Sequence, residues 1–138
     1  MNYCDYLFHT PDKWLDNVAL IDAGTDEYFT YRELQRAVQN LAYELDARGF
    51  QKDDVLSTHL YNSAEAVIAH LAIQYAGCTT CLLDPLATAE GLDYYLRDNK
   101  SVALLTHLDA ETVKNFIPES AIIFHSQDIQ QMSQKQAP

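Results

Sequence analysis

Glycine is scarce, with only Gly24, Gly49, Gly77 and Gly91 in 138 residues. They lie too far apart for G-x-G-x-x-G or G-x-x-x-x-G-K-[ST], so no Gly-rich phosphate cradle is present. Neither a G-x-S-x-G elbow nor an H-E-x-x-H helix occurs, and no complete catalytic constellation is legible. Basic residues are also few: 9 Lys and Arg against 20 Asp and Glu, a formal charge of -11, with the cations scattered. Phosphate backbones and anionic lipid would repel such a chain, which argues against nucleic acid and membrane surfaces as partners. No apolar run approaches the ~18 residues of a membrane span, and "MNYCDYLFHT" lacks the basic and apolar regions of a signal peptide. These features read as a cytoplasmic protein. Three cysteines, an odd number, make no disulfide framework in that compartment.

What the chain does have is a folding composition and a clear rhythm. Hydrophobic residues make up 48% and charged residues 21%, enough to bury the core of a single domain. "VALIDAG" (Val18 to Gly24) and "EYFTY" (Glu27 to Tyr31) read as a β-hairpin. "TYRELQRAVQNLAYELDARG" then places Leu34, Val38, Leu41, Ala42 and Leu45 at helical spacing, with Thr30 and Glu33 as a capping box and Gly49 as the stop. Beyond it, strands ("DVLSTHLYN", "CTTCLLD", "SVALLTH", "AIIFHS") alternate with helices ("SAEAVIAHLAIQYAG", "ATAEGLDYYLRDN", "DAETVKNFI"). This rhythm predicts an α/β fold: an N-terminal β-hairpin, then a mostly parallel sheet of roughly four or five strands flanked by helices. Residues 1–126 form that unit, and residues 127–138 read as a polar, Gln-rich C-terminal tail, a frayed helix and then disorder. The Ser63 to Ala76 helix is apolar nearly all round, so burial on more than one side is expected.

Several residue types could carry chemistry. Cys78 and Cys81 have C-x-x-C spacing, but they follow a helix-ending Gly and open a strand, so neither thiol has a helix N-terminus to activate it. Zinc would need two further ligands; Cys4 is remote, and His9, His59, His70, His107 and His125 form no paired motif. The cysteines therefore read as small buried residues pointing to opposite faces of a strand. His59, His107 and His125 fall in or at the ends of parallel strands, where ligands of open α/β sheets bind. They read as hydrogen-bonded scaffold in preference to general bases, with His107 and His125 the more interesting two. Asp84, before Pro85, is a site carboxylate or, preferably, a turn former. No catalytic or metal-binding residue is assigned, and cofactor-binding residues are left unknown.

The order of motifs resembles the N-terminal region of the adenylate-forming enzymes: acyl-CoA synthetases, nonribosomal-peptide adenylation domains and luciferases. The matching pieces are Thr30-Tyr31-x-Glu33-Leu34, Leu41-Ala42-x-x-Leu45 with Gly49, Asp54-Val55, Asn62-Ser63-x-Glu65, Leu71-Ala72, Ala76-Gly77 and Asp84-Pro85, with Asn17 to Asp22 before them. The likeness runs from about Pro11 to Ser126. It departs at Leu82, where the family commonly has Pro two residues before the Asp. The resemblance implies a parent that uses ATP and Mg to adenylate a carboxylic acid, such as a fatty or amino acid, and passes it to CoA or a phosphopantetheine thiol. The phosphate loop, the adenine and ribose motifs and the lysine-bearing C-terminal lid of that family have no match here. The chain is thus expected to be an N-terminal subdomain that is not catalytic alone and holds no cofactor itself. Its expected partner is the remainder of the parent ligase or a complementary chain. The alternative is a stand-alone interaction module of the same fold that pairs with another chain or, through an apolar face, with itself. A small flavodoxin-like nucleotide binder is a third possibility, and it lacks the phosphate loop such a binder needs.

Overall fold

In the computed structural model, residues 2–134 are described. The chain opens with a one-turn helix, α1 (Asp5–Phe8), and a 3-10 turn over Asp12–Trp14. β1 (Val18–Ile21) and β2 (Tyr28–Thr30) then form the antiparallel hairpin, with a register slip between Val18 and Leu20. Its loop is longer than the sequence suggests. It runs from Asp22 to Glu27, closed by an Asp22 N–H to Glu27 carbonyl bond of 2.8 Å, with Asp26 at a φ of 60°.

The next helix, α2 (Tyr31–Ala47), starts on the expected capping box. Thr30 Oγ1 accepts from the Glu33 N–H and Glu33 Oε1 accepts from the Thr30 N–H, satisfying two amides that have no partner inside the helix. From there β3 (Val55–His59), α3 (Ala64–Tyr75), β4 (Thr79–Leu82), α4 (Ala89–Asp98), β5 (Ala103–Thr106), α5 (Ala110–Val113), β6 (Ile122–His125) and α6 (Ser126–Gln134) alternate. The four later strands form one parallel sheet in the order β4-β3-β5-β6. α5 is a single turn where a longer helix was expected. It stops at Val113, with Lys114 as its C-cap.

The sheet is covered on both faces. Leu56, Ala103, Leu105 and Phe124 pack under α2, α3 and α6, and form one core with Leu41, Leu45, Ile68 and Ile73. Leu104 faces the other way, into a smaller core with Leu92, Leu96, Val113 and Ile117. Each large aliphatic so buried contributes roughly 1.5–3 kcal/mol of transfer free energy.

Three helices end the same way. At the close of α2, Phe50 N–H bonds to the Leu45 carbonyl and Gly49 N–H to that of Asp46; α3 repeats this with Cys78 to Ile73 and Gly77 to Gln74. Gly49 and Gly77 sit at φ of 90° and 85°, the left-handed turn that glycine adopts most cheaply. At the end of α4 the same two bonds form, from Ser101 to Leu96 and Lys100 to Arg97, but the left-handed residue is Lys100, at a φ of 58°.

The segment expected as a polar tail from residue 127 is, as far as Gln134, the packed helix α6. Ile129 and Met132, spaced by three, lie on one face and are buried in the main core, while Asn40 of α2 donates through Nδ2 to the Ser133 carbonyl at 2.9 Å. One short apolar stripe is enough to dock a helix whose other positions are polar. The expected disorder falls on residues 135–138, outside the described residues. Among the described residues, no helix is long and apolar enough to cross a membrane.

Candidate functional site

In open parallel sheets the carboxyl ends of the strands form the ligand-facing edge. Here that edge carries His59, Tyr61, His107 and His125, together with the loop that follows β4. His59 is fully buried at the last position of β3. Its Nε2 lies 3.0 Å from the Ala87 carbonyl, which can only accept, so Nε2 carries the proton. Nδ1 then accepts from the Thr106 hydroxyl at 2.8 Å, and that oxygen in turn accepts from the Leu108 N–H at 3.0 Å. Burial is the main cause that pushes the His59 pKa below the ordinary histidine value, with the neighbouring His107 adding to it; the Ala87 bond and Asp84 act in the opposite direction.

His107 follows β5 and stacks on His59, ring centroids 4.7 Å apart, while Tyr61 packs on its other side at 4.2 Å. Its Nε2 donates to the Pro85 carbonyl at 2.9 Å. Both imidazoles therefore hold one loop, at alternate carbonyls. Asp84 shapes that loop as a turn former: Oδ1 accepts from Leu86 N–H and its carbonyl from Ala87 N–H, each at 2.9 Å.

His125 is separate from this pair. Its Nδ1 accepts from the Gln127 N–H at 3.1 Å, and Asp128 Oδ2 accepts from the His125 N–H at 2.9 Å, so His125 serves as the N-cap of α6 in a reciprocal box. Between these two groups lies a small groove of about 200 Å³, lined by Tyr61, Glu65, His107, Gln127 and Gln130. A larger groove of about 370 Å³ runs between β2, α2, α3 and α6, where Arg36 sits among Glu27, Glu33 and Glu65. A lining of three carboxylates and one guanidinium does not suit a triphosphate, which needs converging cations and backbone N–H groups.

The cysteines separate as expected, but Cys81 is half-buried where a buried residue was expected. Cys78 is buried in the main core just after α3, with Sγ 3.3 Å from the Gln51 carbonyl. Cys81 stands in register with Ser57 in β4, on the opposite side of the sheet. Cys4 is buried against α3, with its Sγ 3.1 Å from the Leu71 carbonyl. Among the described residues, no three His, Cys, Asp or Glu side chains are placed to hold a metal ion. His9 is exposed, and His70 lies half-buried on α3 with its Nδ1 enclosed and without a hydrogen-bond partner. Leu82, the departure from the expected Pro, ends a regular β4 in register with Thr58.

Comparison with known proteins is consistent along the chain. A family model described as AMP-binding enzyme matches residues 7–137. The chain belongs to that family. Among curated relatives, malpibaldin synthetase of Mortierella alpina is 32% identical over 101 residues, which are 73% of this chain and 2% of that protein. The 4-coumarate–CoA ligase 1 of Petroselinum crispum is 27% identical over 118 residues, 85% of this chain and 22% of the ligase. Solved structures share the fold: ATP-bound MatB from Rhodopseudomonas palustris has a TM-score of 0.83 at 22% identity, covering 99% of this chain and 29% of that one. The N-terminal subdomain of Klebsiella oxytoca NpsA, in complex with 3-hydroxybenzoyl-AMSN, has a TM-score of 0.81 at 20% identity, covering 99% of this chain and 33% of that one. The chain thus spans a quarter or less of the length of these two curated relatives, and its fold is shared with the N-terminal subdomain of NpsA.

Sequence reasoning missed Tyr61 and the pairing of His59 with His107. The signal was present in outline, since both histidines close apolar strands, but which strands are neighbours is set by the β4-β3-β5-β6 order.

Proposed function

We propose that this chain is an N-terminal structural part of a larger adenylate-forming ligase and does not adenylate by itself. The observation that carries the reading is the family match over residues 7–137 in a chain without a Gly-rich phosphate loop. Activating a carboxylate with ATP depends on positioned cations and backbone donors around the phosphates, and neither groove supplies such a set. The parent would use ATP and Mg, form an acyl-adenylate, and pass the acyl group to CoA or to a phosphopantetheine thiol in the cytoplasm. The test has two arms. ATP–pyrophosphate exchange with a panel of fatty, aromatic and amino acids should be absent for this chain alone, and exchange above background would overturn the reading. The reading frame downstream of Pro138 should encode a Ser/Thr/Gly-rich loop ending in Lys, and its absence over the next hundred or so codons would also count against it.

A second reading, an interaction module that pairs with another chain or with itself, is favoured by the outer surface of α3 and the edge strand β4. The N-terminal segment covers part of α3, through Cys4 on the Leu71 carbonyl and the Phe8 and Tyr75 rings 4.6 Å apart. Beside it Val67 and Leu82 are 37% and 69% exposed along a groove of about 470 Å³. Apolar surface of this kind on an unpaired strand edge is where a further element docks. Light scattering after size-exclusion chromatography should then give a mass above 15.7 kDa, and a monomer at every concentration would remove self-pairing.

A further inference from the structure

The paired imidazoles at the carboxyl edge of the sheet carry an inference that stands independently of the ligase reading. His59 at the end of β3 and His107 directly after the neighbouring β5 stack at 4.7 Å, and each spends its Nε2 proton on a carbonyl of the same loop: His59 on Ala87 and His107 on Pro85. The loop has its own Asp84 turn, and it leads directly into α4 through Thr88. We propose that His59, stacked on His107, is the pH-sensitive member of a latch that holds the Asp84–Thr88 loop closed against the sheet edge, and that protonation at His59 releases it.

The geometry supplies the reason. The Nδ1 lone pair of neutral His59 receives the Thr106 hydroxyl proton. A proton added at Nδ1 meets that O–H head on, so the hydroxyl must turn away while its oxygen already accepts from the Leu108 N–H. The charge would also sit in a fully buried position and against a second imidazole, both of which oppose it. Groups facing the pair are few. Tyr61 lies at the end of β3 and Asp84 in the loop, while Glu65 at the start of α3 lines the small groove with His107, where α6 contributes only the uncharged Ser126, Gln127 and Gln130. The Ala87 carbonyl and, less so, Asp84 favour charge on His59, and burial outweighs both, so release comes from the buried Nδ1 side and not from loss of the Nε2 donor.

The sign follows from linkage. With the latched His59 holding its proton less tightly than a free histidine, the open loop binds more protons below the free value of about 6.5. Closure is therefore strongest above that pH and weakens as the pH falls through the window between the free and the latched values. For one proton the limit is about a tenfold rise in the opening equilibrium per pH unit.

The experiment is amide hydrogen exchange on the full chain between about pH 5 and pH 8, corrected for the intrinsic pH dependence of exchange. The amides of Leu86 and Ala87 report on the loop, that of Gly91, bonded to the Thr88 carbonyl, on its junction with α4, and those of Leu56 to Thr58 in β3 serve as control. Opening at the loop amides should rise several-fold from pH 7 to pH 5.5 while the β3 amides stay flat. In H59Q, which keeps a donor and an acceptor but does not titrate, the loop should lose that dependence. Flat loop exchange in the unmodified chain, or an unchanged dependence in H59Q, overturns the latch. Should H59Q not fold, 15N NMR of the unmodified imidazoles decides. An Nε2-protonated His59 whose titration midpoint coincides with loop opening supports the latch, and an Nδ1-protonated ring or a separate midpoint overturns it.

Discussion

The carboxylate of Asp22, in the loop of the N-terminal hairpin, accepts the backbone N–H of Ala64, the first residue of α3, at 2.9 Å. Forty-two positions separate the two residues in sequence. The bond fastens the hairpin to the helix N-terminus, where the positive end of the helix dipole favours an anion.

That contact has a pH signature. The Ala64 N–H is the leading cause that lowers the Asp22 pKa from its ordinary value, with the Gly24 and Thr25 amides adding to it. A carboxyl lowered in the folded state contributes stability that is present above the unfolded value of about 3.9 and is lost as pH falls through the folded value. D22N should therefore melt below the parent at pH 7, with the gap narrowing towards pH 3. Calorimetry at the two pH values checks this, and an equal gap at both would show that the charge is not what matters.

The left-handed helix stops give a pair of opposite predictions. A Cβ at Gly77 would meet no atom within 4 Å, so G77A suffers from its φ of 85° alone, by about 1–2 kcal/mol. K100G removes the same strain at the end of α4 and should gain about 0.5–1 kcal/mol after the entropy cost of an added glycine. Urea titrations of the two variants should shift their midpoints in opposite directions.

Docking of α6 is tested by its two faces. Ile129 is fully buried in the main core, and Gln131 is exposed. I129A should cost about 2–5 kcal/mol, whereas Q131A should stay within about 0.5 kcal/mol of the parent. Equal, small effects in both would return this segment to a tail.

Thiol reactivity sorts the cysteines. Burial raises the pKa of both Cys4 and Cys78, helped at Cys4 by Asp5 and at Cys78 by Asp54, Asp46 and Asp53, and both thiols are shielded. Since the thiolate is the nucleophile, native titration with a disulfide reagent near pH 8 should show Cys81, the only one of the three not buried, react first. Unfolding should then release the other two. Two fast thiols at Cys78 and Cys81 would contradict the burial of Cys78 in the main core.

Much of the fold was legible because it rests on local chemistry. The Thr30 and Glu33 box, the Gly49 and Gly77 stops and the alternation of β-branched runs with helical spacing each act within a few residues, and the structure places each where expected. The packing of α6 was not legible because Ile129 and Met132 are only two apolar residues in a Gln-rich stretch. Their value depends on the surface that α2 and the sheet present to them. The long hairpin loop likewise turns through Asp26 at a φ of 60°, a left-handed conformation that the propensities of its neighbours do not signal.

The amino-acid sequence by itself determined the α/β class, the capped start and glycine stop of α2, the Gly77 stop of α3 and the membership of an AMP-binding family, since periodicity, caps and ordered short motifs are properties of neighbouring residues. It also determined that Asp84 would turn the chain. Only the tertiary structure decided that His59 and His107 would meet, because the parallel order β4-β3-β5-β6 brings together strand ends 48 positions apart and aims both rings at the carbonyls of a third segment. A side chain's partners across a sheet depend on strand order and register, and those are settled by the packing of the whole core.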